Sequence, residues 1–122
     1  DPVQLAGEVQ FVYQAEGYGR ARAEAKTSEE RRRTAIQAAE IDAAAKLLEQ
    51  IIGSVIERIT TMEDGQIDKD HVERVVRGWL PTRAETLGET FDATTGEATV
   101  TAQLELSEAL LEEVYKRVTA TQ

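Results

Sequence analysis

A chain of 122 residues, 41% hydrophobic and 30% charged, is long enough to bury a core. It is too evenly mixed to be disordered, and no stretch reaches the ~20 apolar residues of a membrane span. Its 23 carboxylates against 14 lysines and arginines leave a formal charge of −9, which a phosphate backbone or an anionic lipid surface repels. The lack of cysteine removes disulfides and thiolate chemistry.

With two prolines and no Gly/Ser/Pro-rich linker, residues 1–122 read as one domain. The basic run Arg31-Arg32-Arg33 follows Glu29-Glu30 directly, as on a solvated helix entry whose charges cancel, so no nucleic-acid partner is expected. The chain opens at Asp1-Pro2 with strand-like pattern almost at once, as a processed N-terminus would.

Val9, Phe11, Tyr13 and Ala15 alternate with Gln10, Gln14 and Glu16, the period of a half-buried strand. Gly17-Tyr18-Gly19 is expected to end or bend it, and a glycine pair in that place marks a bulge or a close backbone approach. From Thr27 the period turns helical, with Thr27 or Ser28 as cap and Thr27 with Glu30 at capping-box spacing. Ala38, Ile41, Ala45, Leu48 and Ile52 form a stripe, broadened by Ala35, Ala44 and Ile51, and Gly53 supplies a stop. This predicts a helix of about 25 residues across the face of a sheet. Its small N-terminal residues predict a close approach to the partner layer.

Ser54 to Met62, with Val55, Ile59, Thr60 and Thr61, reads as a second strand, and Glu63-Asp64-Gly65 as a turn. Asp68 caps a short helix through His71, Val72, Val75, Val76 and Gly78, which Pro81 prevents from continuing. Thr82–Ala93 and Glu97–Leu106 read as an antiparallel pair joined around Thr94-Thr95-Gly96. In the second strand Ala98, Val100, Ala102, Leu104 and Leu106 point inward. Ser107 then caps a helix that turns Leu110, Leu111, Val114 and Val118 to the core. The expected fold class is α+β in the order β-α-β-α-β-β-α. One mostly antiparallel sheet carries a long Ala-rich helix on one face and leaves the other face wet.

Ala15-Glu16-Gly17-Tyr18-Gly19, followed by the Ala-rich helix from Ala38-Ala39-Glu40-Ile41-Asp42 to Ile51-Ile52-Gly53, resembles the LPP-twenty-like bacterial lipoproteins. That group includes flagellar outer-membrane ring and assembly domains. Arg77-Gly78 and the strand Gly96-Glu97-Ala98-Thr99-Val100 sit where the family places similar features, so the likeness spans roughly residues 9 to 106. The resemblance implies a cell-envelope protein, in the periplasm or at the outer membrane, that acts by assembly. Membrane contact would come only through a lipid anchor upstream of Asp1.

No side-chain set points to chemistry. His71 is the only histidine; Asp68 shares its helical face while Asp70 and Glu73 point elsewhere, which reads as a surface histidine rather than a metal ligand. Asp64-Gly65-Gln66-Ile67-Asp68-Lys69-Asp70 has the acidic density of a calcium loop but not its spacing. Asp42, inside an Ala/Ile-rich helix, is the one carboxylate worth weighing as catalytic, and pairing with Lys46 one turn on is the simpler reading. Gly17-Tyr18-Gly19 lacks the third glycine of a dinucleotide loop.

A non-enzymatic structural or assembly module without cofactor or metal is therefore expected. It would work as a homo-oligomer or with an envelope protein partner. The candidate interface residues are Tyr18, Trp79, Gly17 and Gly19. The alternative is a small-ligand or cell-wall-fragment module, with a pocket between helix and sheet near Tyr18 and Trp79.

Overall fold

Helix and strand periodicities resolve into six elements in the computed structural model, which describes residues 10–62, 68–79 and 84–120. In chain order they are β1 (Gln10–Arg20), α1 (Ser28–Met62), α2 (Lys69–Trp79), β2 (Glu85–Asp92), β3 (Glu97–Ser107) and α3 (Glu108–Ala120). The α+β class holds, with one antiparallel sheet in the order β1-β3-β2. The element order is β-α-α-β-β-α, which corrects the expected β-α-β-α-β-β-α.

The missing strand is Ser54–Met62, which is the last part of a 35-residue helix. Val55 and Ile59 stand four and eight positions beyond Ile51, so the apolar series continues at helical spacing, and all three are buried. A strand would put Glu57 on the same face as Val55 and Ile59; the helix leaves Glu57 in solvent. Gly53 is no stop: it lies on the exposed side of α1, with nothing within 4 Å of where a Cβ would be. Gly53→Ala is accordingly expected to raise stability by about 0.5–1 kcal/mol, read as a higher urea midpoint at unchanged slope.

The buried stripe of α1 is also shifted from its expected phase. Ala35, Ala39, Ala43, Leu47, Ile51, Val55 and Ile59, every fourth residue, are buried along with Ile36, Leu48 and Ile52. Ala44 and Ala45 are exposed, and Ile41 is 72% exposed. Thr27 caps the helix as expected, its Oγ1 accepting from Glu30 N at 3.0 Å. Glu30 reciprocates one residue early, accepting from Lys26 N at 3.4 Å.

Gly17 and Gly19 neither end nor bend β1, whose pairing with β3 runs in unbroken register from Gln10↔Ser107 to Arg20↔Glu97. Thr82 and Arg83, placed in the second half's first strand by the sequence, and the turn Glu63-Asp64-Gly65 lie outside the described residues. The β2–β3 hairpin closes where expected. Gly96 takes a left-handed φ of +75° and donates to Asp92 O at 2.8 Å, while Asp92 Oδ1 accepts from Thr94 N at 2.8 Å. Leu87 is an extra residue in β2, where the register to β3 shifts between Thr86 and Gly88.

At 1.5 Å per residue α1 is about 52 Å long, while an 11-residue strand spans about 36 Å, so the helix overruns the sheet. Its first half covers the inward face of the sheet, buried at Ala98, Val100, Ala102, Leu104 and Leu106. Its second half completes the core with α2 (Val72, Val76) and α3 (Leu111, Val114, Val118). Asp68 and Ser107 cap those helices, accepting from His71 N and Leu110 N at 3.2 Å each.

Candidate functional site

The glycine pair of β1 determines where everything else sits. Gly17 and Gly19 face α1, and a Cβ on Gly17 would lie 2.0 Å from Ala39 O and 2.3 Å from Ala43 N. On Gly19 it would lie 2.3 Å from Ala35 O and 2.4 Å from Ala39 N. Strand and helix thus touch backbone to backbone, as the small residues of the helix predict. Both glycines are consumed in this internal contact, which withdraws them from the candidate interface. The same contact leaves no room between α1 and β1 for a ligand beside Tyr18. A cleft of about 480 Å³ lies between α1 and α2, over Leu48 and Ile52 and below Lys69 and Arg77.

Tyr18 points to the other face of the sheet and is 58% exposed, as its candidacy as an interface residue requires. Its hydroxyl donates to Glu16 Oε2 at 3.0 Å, and this bond, then the Glu16 charge, raises the phenol above its ordinary pKa. The side chain of Trp79 lies outside the described residues. The structure therefore places Tyr18 on the open sheet face, opposite the helix-facing Gly17 and Gly19.

That open face is polar and acidic. Gln14 Nε2 donates to Gln103 Oε1 at 2.6 Å, and Arg20 pairs with Glu97 at 3.0 Å. By register, Glu16, Glu85, Asp92, Glu97 and Glu105 share this side of the sheet with the single cation Arg20. Val12, 55% exposed, is its apolar member on β1.

The two sheet edges are treated differently, and the sequence reading missed this. Along the outer edge of β1, three α1 residues spaced one turn apart hold the strand's main chain. Tyr18 N donates to Asp42 Oδ2 at 2.9 Å, Lys46 Nζ donates to Glu16 O at 2.8 Å, and Gln50 Nε2 donates to Gln14 O at 2.9 Å. Lys46 also pairs with Asp42 at 2.9 Å and stands 4.6 Å from the centre of the Tyr18 ring. Between Gln14 and Tyr18 an edge clamped this way is obstructed as a template for another strand. The signal that could have revealed it is the polar triplet Asp42, Lys46, Gln50 at four-residue spacing in an otherwise Ala/Ile-rich helix.

Even-numbered β1 residues therefore direct their amides outward and odd ones toward β3, and the alternation carries through the ladder. On β2 it leaves the main-chain groups of Glu89 and Phe91 facing the open edge. β2 is solvent-exposed along its length except for half-buried Phe91. Among the described residues, the one helix side chain that bonds to it is Arg32, which meets the Glu89 carboxylate, not its main chain, at 3.3 Å.

The carboxylate and histidine candidates are accounted for by the same geometry. Asp42 pairs with Lys46, as expected, and its pKa is lowered, first by the Tyr18 N–H and then by Lys46. A depressed folded-state pKa contributes stability that is present at neutral pH and lost as pH falls through it. Asp42→Asn is therefore expected to lower the urea midpoint at about pH 7, with the difference from wild type shrinking as pH falls below the ordinary carboxylate range. Half-buried His71 lies 3.0 Å from Val118 O through Nε2, tying α2 to α3. Among the described residues no three His, Asp or Glu side chains gather as a metal site would need.

Comparison with models of known protein families and with curated proteins finds no match for the chain.

Proposed function

We propose that this chain is a non-enzymatic structural module of the bacterial cell envelope that works in assembly by binding a protein partner through its sheet. The observation that carries the reading is the uncovered sheet face, where Val12 and Tyr18 are more than half exposed, continuous with the open β2 edge. The likeness of β1 and α1 to the LPP-twenty-like lipoproteins, whose members include flagellar ring and assembly domains, supports the envelope setting. No helix among the described residues is long and apolar enough to cross a membrane.

The test is photo-crosslinking in cells from a reactive residue placed at Thr101, central on the open face, with Gln37 on the exposed side of α1 as control. Discrete adducts in the envelope fraction from Thr101 and none from Gln37 are expected. Adducts from neither position, or equally from both, would sink the proposal. Light scattering over a wide concentration range separates self-association from binding of a different chain.

A further inference from the structure

The edge asymmetry narrows what the partner must be, if the assembly reading holds. We propose that the free edge of β2 takes up an extended segment of a different protein as a fourth strand, apolar on its helix-side face and basic on its outer face. Strand addition needs a row of main-chain groups without partners, and among the described residues none pairs with those of Glu89 and Phe91. The opposite edge is obstructed from Gln14 to Tyr18, where Asp42, Lys46 and Gln50 already hold main-chain groups. The regular run from Gly88 to Asp92 fixes the length at about five residues, since the extra residue Leu87 breaks the ladder before it.

Charge decides the chemistry of the newcomer. On the helix side of β2, Glu89 is neutralised by Arg32 and the neighbouring side chain is half-buried Phe91, which suits apolar residues. On the outer side, Asp92 of β2 stands beside its register partner Glu97 and carries the acidic face of the sheet to this edge, which suits lysine or arginine on the outer side of the added strand. A second copy of this chain fits poorly. Two molecules that each carry −9 repel, so the pairing of β2 with its own copy is opposed by net charge.

The experiment is fluorescence anisotropy with the purified chain and a labelled peptide of alternating valine and lysine. Three comparison peptides are used: one of valine and glutamate, and Val/Lys peptides N-methylated at either set of alternate amides. Binding of the Val/Lys peptide is expected to weaken at least about tenfold with the glutamate peptide, with N-methylation of the edge-facing amides, and in high salt. Hydrogen exchange at Glu89 and Phe91 is expected to slow on binding, with Gln14 and Glu16 unchanged. Glu89→Pro, which removes an edge-facing donor and no sheet bond, is expected to abolish binding. If that variant unfolds, the N-methylated peptides carry the test alone.

Equal affinity for all four peptides, no binding, or protection on β1 instead would overturn the proposal. So would a dimer of this chain that protects Glu89 and Phe91 in the absence of peptide. Adducts from Thr101 in cells without strand addition at β2 would leave the assembly role standing and remove this edge from it. Peptide addition without adducts would do the reverse.

Discussion

Gly17→Ala is expected to destabilise the fold by about 3 kcal/mol, the upper end of overpacking costs, although it adds a single methyl group. The reason is what the methyl meets. Its nearest neighbours would be Ala39 O at 2.0 Å and Ala43 N at 2.3 Å, both main-chain atoms of α1 that cannot rotate away. Relief requires lifting the helix off the strand. That loosens the packing of Ala35, Ala39 and Ala43 and pulls Asp42, Lys46 and Gln50 from the β1 edge.

Urea unfolding gives the cost directly, with Gly53→Ala as the opposite control on the same helix. Because the clash is with backbone, Ala43→Gly should not rescue Gly17→Ala. A loss below about 1 kcal/mol, or a rescue, would mean that the two backbones are not in contact as described.

The same contact explains what could and could not be read from the sequence. The alternation of β3, the hairpin at Thr94–Gly96 and the caps at Thr27, Asp68 and Ser107 are local patterns, and each appears where its residues indicate. The close approach of helix and strand was also legible, from alanines in α1 facing a glycine-bearing strand. The phase of α1 was not. Two stripes run along it, one through Ala38, Ile41, Ala45 and Leu48, the other through Ala35, Ala39, Ala43 and Leu47.

Both stripes begin with alanine, which contributes little hydrophobic contrast, and Ile41 favours the first. The glycines of β1 favour the second, because backbone contact requires alanine at every turn that crosses Gly17 and Gly19 and has no room for isoleucine. That preference is tertiary, set by residues well separated in the chain. The clamp on the β1 edge was hidden for a related reason. Asp42, Lys46 and Gln50 look like solvated polar residues until it is known that β1 is an edge strand and which side of it α1 follows.

Ser54→Pro is expected to cost about 3 kcal/mol or more and to separate the two halves of the protein, because α1 is their shared spine. Proline there removes the helical N–H at residue 54 and drives its ring against Gln50 O, in mid-helix, where the sequence alone suggested a boundary with a strand. N-terminal to this point α1 lies on the sheet; beyond it, Val55 and Ile59 belong to the core shared with α2 and α3.

The hydroxyl itself does less. Ser54 Oγ donates to Gln50 O at 3.2 Å and accepts from Tyr13 OH at 3.0 Å, so Ser54→Ala is expected to cost only about 1 kcal/mol. The difference between the two variants isolates the backbone. Were residues 54–62 a strand, proline at their first position would be nearly harmless and the variants would match. A large gap, with helical circular dichroism falling in step, ties the sheet to the three-helix end through one unbroken helix. The stability of the open β2 edge then depends on packing at the far end of the molecule, where Arg58 of α1 pairs with Glu112 of α3.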